Sequence, residues 1–138
     1  MKTNRVTLIT LGVEDVARAR AYYEAIGWVL EEDLGEAAFY AMNGMKFGFF
    51  SLEGLAKETG RPVSALRNGA MTLAQNFTSE AEVDAMFERA VTAGADPVTQ
   101  PFKTDWGGYS SYVADPDGHL WEFAHNPFWE MDEDGALT

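Results

Sequence analysis

Apolar and polar positions run through the same change of rhythm twice along this chain. From Arg5 to Val13 the apolar residues Val6, Leu8, Ile9, Leu11 and Val13 predict a buried strand. Asp15 then suits a helix cap and Gly27 a helix end, and between them Val16, Ala19, Tyr23 and Ile26 recur at helical spacing. Three strands are predicted next: Trp28 to Glu32, Ala37 to Met42 and Met45 to Leu52, with Asn43-Gly44 as a two-residue turn. From Glu53 to Asn68 the rhythm breaks, with a short helix predicted around Leu55 to Thr59 and loop signals at Gly60, Pro62 and Asn68-Gly69.

The pattern then restarts. Ala70 to Phe77 reads as a strand, and Ser79 with Glu82 three residues on forms a capping box. Val83, Met86, Phe87, Ala90 and Val91 give the next helix its apolar face, and Gly94 closes it. Asp96 to Thr99 is predicted as a strand, Pro101 to Gly108 as a loop, and Ser110 to Ala114 with His119 to Ala124 as a final hairpin. The order is βαβββ twice, an internal duplication carried by pattern more than by identity. Asp15 set against Ser79 (79 − 15) gives a shift of 64 residues, and Gly44 against Gly118 (118 − 44) a shift of 74.

The fold class expected is therefore α+β. Residues 1–52 form the first module, 53–68 a connector, 69–127 the second module and 128–138 an acidic tail, solvated and mobile at its end. A βαβββ unit exposes a sheet face that it cannot cover alone. The two units are expected to build a curved, mostly antiparallel sheet around a groove, with the helices outside. Such a groove suits a small molecule.

The hairpin Asp115-Pro116-Asp117-Gly118 is the strongest local signal: Pro presets φ, Gly supplies positive φ and Asp closes an Asx-type turn. Its return strand places Leu120, Glu122 and Ala124 on one face and His119, Trp121 and Phe123 on the other. Trp121 and Phe123 are expected to pack on the second helix. Glu122 is a carboxylate inside a strand, costly to bury unless paired, hydrogen-bonded or bound to metal. It either faces water on a half-exposed sheet or works in the groove, where it is a candidate general base. Gln75 and Asn76 interrupt an apolar strand, so one of them should point inward and need a partner. Trp106, Tyr109 and Tyr112 lie in or beside the long second-half loop, where aromatic rings can stack on a flat or cationic ligand or close a core. His119 and His125 are assigned surface or packing roles.

With 138 residues, 46% apolar, the chain can bury a core, and no apolar run is long enough for a bilayer. There is no cysteine, which excludes disulfide and thiolate chemistry. The net charge of −12 disfavours nucleic acid and anionic membranes as partners and would attract a cationic small molecule. The first residues lack the apolar stretch of a signal peptide, so a cytoplasmic location is expected.

Two stretches carry a family resemblance. One is Gly12-Val13-Glu14-Asp15-Val16-Ala17-Arg18-Ala19-Arg20-Ala21-Tyr22-Tyr23 with Gly27-Trp28; the other is Tyr112 to Phe123, through the hairpin. With the duplicated βαβββ order, the chain resembles the vicinal oxygen chelate superfamily of glyoxalase I, bleomycin-resistance proteins and ring-cleaving dioxygenases. The likeness spans about Val6 to Pro127. It is closest to a glyoxalase-like branch with a Trp-Gly-Gly-Tyr stretch (Trp106 to Tyr109 here) and an Asn-Pro-Phe-Trp tail (Asn126 to Trp129).

In metal-dependent members, the resemblance implies four ligands, from the first and last strands of each half. The matching positions here are Leu8, Gly48, Thr72 and Glu122, so Glu122 is the one clear ligand. A divalent metal needs about three protein groups. No resident cofactor is expected unless a metal site is rebuilt from residues such as Gln75. Two readings follow. One is a protein of this superfamily with a small-molecule groove and an incomplete metal site, acting by ligand binding or metal-independent chemistry. The alternative is a metal-dependent glyoxalase-like lyase or isomerase. A homodimer is expected, with Phe128 and Trp129 as contact candidates.

Overall fold

A computed structural model describes every residue from Met1 to Thr138. The chain forms two compact units, Met1–Arg67 and Asn68–Thr138. Each is a βαβββ module with one mixed four-stranded sheet, as the α+β reading required. No helix is long and apolar enough to cross a membrane.

In the first unit, β1 (Leu8–Val13) leads into α1 (Val16–Ala25), and Asp15 caps the helix by accepting from the Arg18 N–H at 3.2 Å. Then come β2 (Glu32–Asp33), β3 (Ala37–Ala41) and β4 (Lys46–Ser51), in the sheet order β1-β4-β3-β2 with β1 parallel to β4. Alternation decides the faces. Leu11, Val13, Ala38, Tyr40, Phe47 and Phe49 are buried, and the core gathers as rings: Tyr23 stands 4.6 Å from Trp28 and 4.7 Å from Phe49. The opposite face carries Leu8, Thr10, Gly48 and Phe39, placed together by the strand register.

Two first-unit expectations change. The strand predicted over Trp28 to Glu32 shrinks to Glu32–Asp33, because Trp28 donates its N–H to the Tyr23 carbonyl and turns its ring into the core. The helix predicted from Leu55 begins at Leu52, directly after β4. This α2 (Leu52–Thr59) is capped by Ser51, whose Oγ accepts from the Gly54 N–H at 3.0 Å. A short 3₁₀ turn, Val63–Ala65, follows, so the connector is largely structured.

In the second unit, β5 (Leu73–Asn76) leads into α3 (Glu80–Ala93), then β6 (Asp96–Lys103), β7 (Tyr109–Ala114) and β8 (Leu120–His125). The sheet order is β5-β8-β7-β6, with β5 parallel to β8. α3 lies on β6, β7 and β8, and Val83, Phe87, Ala90, Val113, Trp121 and Phe123 are buried. Ser79 caps α3 by accepting from the Glu82 N–H. The Glu82 carboxylate takes the Thr78 hydroxyl at 2.6 Å rather than closing the reciprocal half of the box.

Here too the structure corrects the pattern. The loop predicted from Pro101 is the continuation of β6, which runs through Pro97 and Pro101 to Lys103. It can, because β6 is an edge strand with register shifts between Pro97 and Thr99 and between Thr99 and Phe102. Pro97 pairs with Val113 on that edge, and Pro101 falls within the second register shift, where it has no partner in the ladder. The acidic tail is folded. Residues 130–138 make a small hairpin in which Met131 bridges Leu137 and Thr138 donates to the Glu130 carbonyl.

Candidate functional site

The site begins with the turn that sets the register of β7 and β8. Asp115 is 2% exposed, and its Oδ1 accepts from the N–H groups of Asp117 and His119, both at 2.9 Å. Gly118 donates to the Asp115 carbonyl at 2.8 Å and sits at φ +85°, where a side chain would be strained. A Cβ there would also stand 2.6 Å from Asn68 Nδ2, which donates to the Asp117 carbonyl. The turn is thus a three-residue loop closed by an Asx bridge, and the pairing beyond it has one register.

That register places Tyr112 opposite Glu122 and Ser110 opposite Ala124. Side chains at these positions share the face turned away from α3. On that face Ser110 Oγ donates to Glu122 Oε2 at 2.6 Å, and Tyr112 Oη donates to the same oxygen at 3.2 Å. Ser110 is 3% exposed, while Tyr112 and Glu122 are half-buried. Burial first, then the Glu122 charge, raises the Tyr112 phenol above its ordinary value, against a hydrogen bond with Ser110 that lowers it. The other carboxylate oxygen, Oε1, has no protein partner.

The remaining candidates divide by face. Asn76 pairs with Ala124 in register, so it shares the Glu122 face. Gln75 pairs with Phe123 and lies on the helix side, where its Oε1 is buried without a hydrogen bond. Tyr109 is also on the helix side: its hydroxyl donates to Asp84 of α3 at 2.7 Å, a bond that raises its pKa. Trp106 is 55% exposed in the β6–β7 loop, its indole lying over Gly108. The structure therefore groups Glu122, Tyr112 and Asn76, and leaves Gln75 and Tyr109 on the opposite face. Ser110 escaped the sequence reading. Its signal was present, since a small polar residue two positions before Tyr112 shares its face. Phe102 and Thr99 of β6 also belong to this face, through their pairing with Ser110 and Tyr112. No Lys or Arg of the sheet shares it; Lys103 pairs with Tyr109 on the helix side.

The four positions that the family resemblance assigns to a metal do not fit one. In the first unit Thr10 pairs with Gly48, and in the second Ala74 pairs with Glu122. The internal shifts of 64 and 74 are thus realised in register, making Gly48 the counterpart of Glu122. Gly48 offers no donor atom, and a Cβ there would fall 2.9 Å from two carbons of the Phe39 ring. Leu8 is apolar, and Thr72 offers one neutral hydroxyl. No group of three or more His, Asp or Glu side chains is arranged to hold a metal ion.

Residues 5–123 match the Glyoxalase/Bleomycin resistance protein/Dioxygenase superfamily, and the chain belongs to that family. It is similar to a glyoxalase-related enzyme from Fulvimarina pelagi, with 38% identity and a TM-score of 0.92, covering 99% of this chain and 98% of that one. A family protein from Burkholderia phytofirmans shares the fold at 16% identity and a TM-score of 0.78, over 86% of this chain and 96% of that chain. A lactoylglutathione lyase from Agrobacterium tumefaciens does so at 22% identity and a TM-score of 0.70, over 95% of this chain and all of that chain. No curated protein matches the chain.

Proposed function

We propose that this protein binds a small organic molecule, without a metal, on the second sheet around Glu122, Tyr112, Ser110 and Asn76. The observation that carries the reading is the carboxylate itself. Two hydroxyls hold one of its oxygens, and the other is left unpaired on a face without a basic side chain. That free oxygen is not buried, so a ligand arriving from solvent can reach it. A positioned carboxylate with a free oxygen can also take a proton from a bound molecule, so metal-independent proton transfer is open to the same site. The name of the Fulvimarina relative, a glyoxalase-related enzyme, agrees with chemistry at such a site.

Chemical-shift mapping with benzamidine, in the presence of chelator, tests the reading. The account expects saturable shifts at the amides of Ser110, Tyr112 and Glu122. Shifts confined to other surfaces, or binding that appears only when a divalent metal is added, would overturn it.

A further inference from the structure

The protons around Glu122 select a class of ligand. Three of its polar side chains, Glu122, Tyr112 and Ser110, share two hydroxyl protons. The Ser110 proton points to Glu122 Oε2 over 2.6 Å, and the Tyr112 proton points to the same oxygen over 3.2 Å. Ser110 has one proton, and the bond to the Glu122 oxygen takes it. Both donors are spent inside the cluster. What these three groups leave for a ligand is acceptor capacity: both lone pairs of Glu122 Oε1 and unused lone pairs of the hydroxyl oxygens.

We infer that this site, if it binds as proposed, is selective for ligands whose polar end is a hydrogen-bond donor, above all a planar nitrogen cation, and rejects carboxylates and other anions. An incoming anion finds no free proton from these three groups, and it meets the carboxylate charge on a face with no Lys or Arg. The net charge of −12 adds to that repulsion at a distance. An amidinium or ammonium group finds an unpaired carboxylate oxygen. The exposed ring of Phe102, which shares the face, is available to the ligand's apolar part. Asn76, whose amide can donate or accept, does not bias the choice.

This inference rests on the binding reading, and the two fail differently. The experiment is calorimetric titration of the full chain with benzamidine, benzamide and benzoate, which share a ring and differ in the polar end. The expected result is benzamidine at least about tenfold tighter than benzoate, with benzamide between them. In Glu122→Gln, which supplies an amide donor where the carboxylate was, the preference should shrink to about unity or reverse. Tyr112→Phe keeps the carboxylate and removes one committed proton, so benzamidine should stay preferred. Benzoate equal to or tighter than benzamidine in the unmodified protein would overturn the selectivity while leaving the binding site standing. A reversal in Tyr112→Phe would show that the phenol reads the ligand, and would also overturn it. Failure of all three probes to bind would overturn the site and the selectivity together.

Discussion

Glu122 and Gly48 occupy one position in two copies of the same module, and their surroundings have diverged together. Tyr112 is the register partner of Glu122 and gives it a hydroxyl; Phe39 is the register partner of Gly48 and lays its ring over the missing side chain. Gly48→Ala should therefore cost about 1–3 kcal/mol, through overpacking against Phe39. In a Phe39→Ala background the same change should cost clearly less, which urea unfolding of the double-mutant cycle would show. The two Asn-Gly pairs differ just as sharply. Asn68 is tied through Nδ2 to the Asp117 carbonyl, whereas Asn43 is exposed in the β3–β4 turn with no side-chain hydrogen bond. Cyclisation onto the following glycine nitrogen needs a side chain free to swing. Isoaspartate should accumulate at Asn43 well before Asn68 on storage at mildly alkaline pH, as peptide mapping by mass spectrometry would detect. In urea the difference should vanish.

One turn is used twice in the second unit. Asp115-Pro116-Asp117-Gly118-His119 and Asp132-Glu133-Asp134-Gly135-Ala136 make the same bonds. In each, the leading Asp accepts two backbone N–H groups, the glycine donates to its carbonyl, and its own N–H closes on the fifth residue. The copies differ in burial, since Asp115 is buried and Asp132 exposed. Asp115→Ala should cost about 2–4 kcal/mol, because it strips two hydrogen bonds to a buried carboxylate from the half-buried N–H groups of Asp117 and His119. Asp132→Ala should fall within about 0.5 kcal/mol of neutral. Thermal and urea unfolding would compare the two. The first turn was legible in the sequence because alternating aromatic strands flank it. The second was not, because only Met131 and Leu137 flank it, and a run of acids reads as solvated chain. The same limit explains β6. Pro97 and Pro101 argue against a strand on local grounds, and only the edge position and the bulges, both tertiary facts, admit them. The helices were the easier elements, since Asp15, Ser79 and Gly94 mark their ends chemically.

For the molecule as a whole, the duplication was readable from the order of elements and the spacing of caps and turns, and the register realises both spacings. The faces inside β5 and β7 were not readable. Gln75 and Asn76 are adjacent, and nothing local tells which of them joins Glu122. Charge shapes stability at this scale. Hydrogen bonds from Arg20 hold the Glu24 carboxyl below its ordinary value of 4.5, against the opposing effect of burial, and Tyr40 adds a further donor. Because the folded value is the lower one, the unfolded chain takes up the proton first. The contribution of Glu24 is complete above its ordinary pKa and is lost as pH falls through the depressed folded value. Urea titrations of the unmodified protein and Glu24→Gln should differ near neutrality and converge in acid. A gap that stayed constant down the acid limb would contradict the assignment.

The central claim is that this member of the superfamily keeps one carboxylate of the family's metal positions and uses it without a metal. Elemental analysis of protein purified without chelator, repeated after exposure to Ni, Zn, Fe and Mn and exhaustive dialysis, addresses it directly. The account predicts far less than one metal ion per chain in every case. One tightly held ion per chain, lost on Glu122→Ala, would contradict it.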